Sequence, residues 1–103
     1  MPYKALSIDD ITEKAIIVFE RYNVNKAAVF GSCARGEMQR GSDIDILVDI
    51  SSYTSGLAFV ELKRKPENLL KRKVDLISFN SLNYSDKKNE ILSEAKVIYE
   101  KGH

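Results

Sequence analysis

Residues 29–50 read VFGSCARGEMQRGSDIDILVDI, and their interpretation decides the fold. The stretch begins inside a short apolar run, Lys26-Ala27-Ala28-Val29-Phe30, which Gly31-Ser32 interrupts. Such a run bounded by a turn signal predicts a buried strand. Residues 33–42 are polar and carry two glycines, the pattern of a short helical turn followed by a loop. From Ile44 to Ile50 the chain is rich in β-branched residues and reads as a second strand.

Working outward, Ser7-Ile8-Asp9-Asp10 has the form of a capping box. Ile8, Ile11, Ala15, Val18, Phe19 and Tyr22 then recur at helical spacing, so residues 8–22 read as an amphipathic helix. Downstream, Leu57, Val60, Leu62, Leu69 and Leu70 suggest helix over residues 56–72, with Pro66 expected to kink or restart it. Val74–Phe79 reads as a third strand. Ser85-Asp86 opens a last helix with Ile91, Leu92 and Ala95 on one face, and Val97-Ile98-Tyr99 reads as a short edge strand. The order predicts an α/β (α+β) protein with a small mixed sheet flanked by helices.

Composition limits the function. The 103 residues suit one domain, residues 1–103, and 44% hydrophobic with 30% charged residues describes a globular chain. Sixteen basic against fifteen acidic residues give a net charge of +1, so nucleic acid is not expected as a direct ligand without a local patch. No run of 18 apolar residues occurs, and the start, MPYKALSIDD, lacks a signal-peptide apolar region. A cytoplasmic protein away from the membrane is the expectation. Cys33 is the single cysteine and His103 the single histidine. That excludes an internal disulfide, a Cys/His zinc cluster and any Ser-His-Asp or Cys-His catalytic group.

What remains is a pattern of acids. Asp43 and Asp45 stand at i and i+2, so a strand puts both carboxylates on one face, about 6–7 Å apart. Two acids held so close repel unless a cation bridges them. Hard divalent metals meet that need, and Mg²⁺ is usually held by few carboxylates plus substrate phosphates. Asp75 lies in the next predicted strand, between Val74 and Leu76, where a lone solvated acid is unexpected. If the strands are neighbours, three carboxylates can face the same ions, the protein half of a two-metal phosphoryl-transfer site. Gly31-Ser32 can let the backbone approach a phosphate, and Arg35, Arg40 and Ser42 lie in the loop that could meet a triphosphate tail. Singly, each feature has an ordinary reading as a solvated strand end, a turn or an edge-strand charge. Together they are specific.

The segment quoted above resembles the signature of DNA polymerase beta-like nucleotidyltransferases, in particular the minimal nucleotidyltransferases of prokaryotes. LLKRKVDLIS, residues 69–78, looks like that family's third-carboxylate strand. The resemblance implies that Gly31 and Ser32 bind nucleotide phosphates, that Asp43 and Asp45 hold two Mg²⁺ ions, and that Asp75 is the third catalytic and metal-binding carboxylate. Arg35 and Ser42 match positions beside the triphosphate. It further implies ATP as substrate and a HEPN-family RNase toxin as partner, the small enzyme being the antitoxin that moves AMP onto a toxin tyrosine. A binding-only antitoxin and a free-standing enzyme acting on a small molecule or RNA are the alternatives.

Other residues have plainer readings. Lys63, Arg64, Lys65, Lys71, Arg72 and Lys73 place six cations within eleven positions, a solvated helix face or a docking patch. Cys33 reads as a small residue and Asp49 as a solvent- or partner-facing acid. Tyr3, Tyr22, Tyr53, Tyr84 and Tyr99 read as core and surface aromatics.

Overall fold

A computed structural model describes residues 6–39, 41–50 and 55–101. Helix α1 (Ile8–Arg21) starts where the capping box predicts. Ser7 Oγ accepts from the Asp10 amide at 3.0 Å, and the Asp10 carboxylate accepts from the Ser7 amide at 3.1 Å. Ile11, Ala15, Val18 and Phe19 form its buried stripe. Strand β1 (Lys26–Phe30) runs directly into a short helix α2 (Gly31–Arg35). Strand β2 spans Ile44–Asp49, helix α3 Gly56–Leu70 and strand β3 Val74–Ser78.

Two details differ from the sequence expectations. Helix α3 is one element passing through Pro66, whose ring is buried in the interior. Packing of that ring compensates the hydrogen bond that proline cannot donate. The last helix, α4 (Lys88–Glu94), starts later than Ser85, after a 3₁₀ turn at Asn80–Tyr84. Ser85 Oγ accepts from the Lys87 amide at 3.1 Å and so closes a turn instead of capping the helix. Strand β4 (Lys96–Glu100) includes the Val97-Ile98-Tyr99 segment, as expected.

The four strands form one mixed sheet in the order β3-β2-β1-β4. β1 pairs antiparallel with both β2 and β4, while β2 and β3 run parallel, with α3 lying between them in the chain. Alternation along β2 then divides its side chains. Ile44, Ile46 and Val48 enter the main core with residues of α1 and α3, including Phe19 and Leu62. Leu47 packs in a smaller cluster with Ala28, Phe30, Leu82 and Ile91. Asp45 has the same parity as Leu47, so it sits on the thinly covered face. The residues that build the core thereby dictate where the acids project.

Candidate active site

Cross-strand register brings the acids together. Asp45 of β2 stands opposite Phe30 of β1 on one side and opposite Asp75 of β3 on the other. Neighbouring strands lie about 4.8 Å apart, so Asp45 and Asp75 are lateral neighbours although thirty residues separate them in the chain. Asp43 immediately precedes β2, and the ladder is pinned beside it by a 2.9 Å bond from the Ile44 amide to the Lys73 carbonyl.

Electrostatics register the crowding. The Asp45 carboxyl is pushed up to about 6, first by burial, then by the charge of Asp75 and a hydrogen bond to it, and then by Asp43. Arg35 opposes the rise. Asp75 is exposed, contrary to the expectation of a sheltered acid, because β3 is an edge strand. Among the described residues no group of three or more His, Cys, Asp or Glu is already gathered around a metal-sized space. Asp45 stands between Asp75 and Asp43, near enough to both for their charges to raise its carboxyl.

Gly31 is fixed by this row. Its φ is +66°, and a Cβ there would collide with Asp45 Oδ2 and lie 3.3 Å from Asp45 Cγ. The backbone at the start of α2 therefore presses directly on the central carboxylate, an approach that only glycine allows. No side chain caps α2, so its first amides, beside Ser32, remain available to an anion next to the acids.

Arg35 and Ser42 have other partners in this structure. Arg35 donates to Glu37 at 2.5 Å and to Glu94 of α4 at 2.6 Å. Ser42 Oγ accepts from the Gln39 amide at 2.8 Å and closes the loop before Asp43. Arg72 holds the same loop by donating to the Gln39 carbonyl at 3.2 Å and the Ser42 carbonyl at 3.5 Å. The sequence reading missed this role, since Arg72 looked like one of six basic residues. Arg40, Tyr3 and Tyr53 lie outside the described residues. Asp49 is exposed at the far end of β2, away from the other acids.

Cys33 is 3% exposed, and burial, then Asp45, pushes its thiol up to about 11, against a smaller opposing effect of Lys96. A thiol so held is no nucleophile. A cleft of about 350 Å³ lies beside α2, lined by Ile8, Cys33, Arg35, Met38 and Lys96 among others, but by none of the three acids, Gly31 or Ser32. The acidic row itself lies on an open face.

The family model described as "Polymerase beta, Nucleotidyltransferase" matches residues 13–103. The chain belongs to this nucleotidyltransferase family. It is 39% identical over 90 residues to a Methanocaldococcus jannaschii protein named "Putative protein adenylyltransferase", covering 87% of this chain and 96% of that one. A solved structure of a "putative minimal nucleotidyltransferase" superposes with a TM-score of 0.75 at 28% identity, over 91% of this chain and 98% of the other. A complex of a tri-AMPylated Shewanella oneidensis HEPN toxin with MNT antitoxin shares the fold, with a TM-score of 0.66 at 20% identity over 91% and 73% of the respective chains. The mixed sheet with flanking helices is thus the fold of minimal nucleotidyltransferases, and this nucleotidyltransferase carries its acids on the open face. No helix among the described residues is long and apolar enough to cross a membrane.

Proposed function

We propose that this nucleotidyltransferase moves AMP from ATP to a tyrosine hydroxyl on a HEPN-type toxin, and so acts as that toxin's antitoxin. The observation that carries the reading is the cross-strand pair Asp45–Asp75 with Gly31 packed against it. It joins a phosphate-approach loop to a row of carboxylates that are too close to be comfortable without a cation. The 39%-identical relative named as an adenylyltransferase supports AMP as the group transferred. The tri-AMPylated toxin bound to an antitoxin of the same fold supports the partner.

Asp43, Asp45 and Asp75 fit Mg²⁺ in chemistry, being hard oxygen donors on one face. Two such ions, when bound, supply charge stabilisation for the attacking and departing oxygens. The chain's own residues do the rest. Gly31 and Ser32 hold the terminal phosphates, leaving the α-phosphorus above Asp43 and Asp45. Asp75 orients the acceptor hydroxyl and takes its proton. The acceptor oxygen bonds to the α-phosphorus as the bond from that phosphorus to the pyrophosphate oxygen breaks, and the electron pair leaves with pyrophosphate. Arg35 joins the triphosphate only by releasing Glu37 or Glu94, and Ser42 contributes by holding the loop that carries Asp43.

The test is intact-mass spectrometry of a HEPN-type partner incubated with this protein and Mg-ATP. Added AMP units on the partner are expected. A partner left unmodified, with a small molecule or RNA end nucleotidylated in its place, would overturn the proposal.

A further inference from the structure

We infer that the open edge of β3, with Lys71 and Lys73 at its start, is the docking surface for an acidic, extended segment of the acceptor protein. The inference rests on the proposed transfer reaction and deepens it by giving the acceptor a direction of approach.

Sheet order sets that direction. Gly31-Ser32 follows β1, the central acids lie on β2, and Asp75 lies on β3. In-line displacement needs the entering hydroxyl and the leaving pyrophosphate on opposite sides of the phosphorus. With the phosphate tail towards β1, the hydroxyl arrives over β3. There Asp75 is exposed, and among the described residues no strand covers the outer edge of β3. Glu67 Oε2 accepts from the Val74 amide at 2.8 Å at the start of this edge, and beyond it the edge offers backbone amides and carbonyls to an extended chain.

The basic run sorts itself in the same way. Lys63 pairs with Glu67, while Arg64 and Lys65 both pair with Glu61. Arg72 is committed to the loop carbonyls. Lys71 and Lys73 are exposed and make no ion pair with a described residue. Lys71 occupies the left-handed turn, φ 56°, that ends α3, and Lys73 precedes β3. The cations with helical partners are thus Lys63, Arg64 and Lys65, and the uncommitted ones lie just before Asp75 in the chain. Acidic side chains at alternate positions of an extended segment repeat about every 6–7 Å, a spacing that two lysines at i and i+2 can meet. A polynucleotide suits the surface less well. No aromatic residue lies between these lysines for a base to stack on.

The test is steady-state transfer to the HEPN-type protein by Lys71→Glu/Lys73→Glu, with Lys63→Gln/Lys65→Gln as control. The KM for the protein acceptor is expected to rise about tenfold or more in the charge-reversed variant, while the dissociation constant for Mg-ATP stays within about twofold. The control should keep the wild-type KM. Lys73→Gln alone should give an intermediate KM, and it serves if the double variant melts early. Raising salt should weaken acceptor binding by the wild type and not by the reversed variant. An unchanged acceptor KM, or an equal loss in the control, overturns the docking surface while leaving the transfer reaction intact. Displacement of the acceptor protein by single-stranded RNA, lost on charge reversal, also overturns it. No protein acceptor for the wild type overturns both.

Discussion

Replacing Asp45 by Asn should stabilise the metal-free protein at neutral pH and do little at acid pH. The Asp45 carboxyl is raised from 3.8 to about 6 by burial, Asp75 and Asp43. Each tenfold change in proton affinity is about 1.4 kcal/mol, so a fully enclosed group would cost about 3 kcal/mol in its charged form. Asp45 is partly exposed, and water screens its neighbours, which reduces the penalty to about 1–2 kcal/mol. The folded protein holds the Asp45 proton more tightly than the unfolded chain does, so this contribution is most favourable below the unfolded value. It weakens as pH rises towards 6. For a domain of this size 1 kcal/mol is about 4–8 °C in melting temperature. Thermal melts without metal should therefore place Asp45→Asn about 5–10 °C above wild type at pH 7.5, with the gap closing at pH 4. Taking the difference between the two proteins cancels the titration of carboxylates that do not interact with Asp45. A gap of zero at pH 7.5, or one that persists undiminished at pH 4, would refute the crowded-carboxylate argument.

Other variants probe the supports of the site. Gly31→Ala puts a Cβ against Asp45 Oδ2 at φ +66°, so it should lose at least about 1–2 kcal/mol in urea unfolding and bind Mg-ATP poorly by calorimetry. Wild-type behaviour on both counts would contradict the close approach. Arg72→Met frees the carbonyls of Gln39 and Ser42 and should cost about 1 kcal/mol, with weakened Mg-ATP binding because the loop before Asp43 loosens. Full nucleotide affinity would show that the clamp is dispensable. Native Cys33 should resist iodoacetamide at pH 7.5 and react once urea unfolds the chain. Rapid labelling of the native protein would contradict its burial.

Much of the fold was legible because its signals are local. The capping box at Ser7, the apolar periodicity of α1 and the β-branched run of β2 each state their own structure. The nearness of Asp43 to Asp45 was legible for a related reason, since two residues apart at the start of a strand they stay close wherever the strand goes. What sequence could not supply was lateral position. That Asp75 stands beside Asp45 depends on β2 and β3 pairing in parallel, and its exposure depends on β3 being an edge. Side-chain commitments were equally hidden. Arg35 turns to Glu94, 59 residues away, and Arg72 to a loop about thirty residues upstream, because hydrogen-bond partners are settled by the assembled fold. Pro66 misled for a similar reason. Its effect on an isolated helix is disruptive, yet in α3 its ring is part of the core.

The central claim is that these three carboxylates and the Gly31 turn direct attack to the α-phosphorus of ATP. Transfer of label from ATP carrying ³²P at either the α or the γ position, to a HEPN-type acceptor, tests it most directly. The account predicts incorporation from α-labelled ATP alone, release of pyrophosphate, and loss of incorporation in Asp43→Asn. Label arriving from the γ position, or undiminished α transfer by Asp43→Asn, would contradict it.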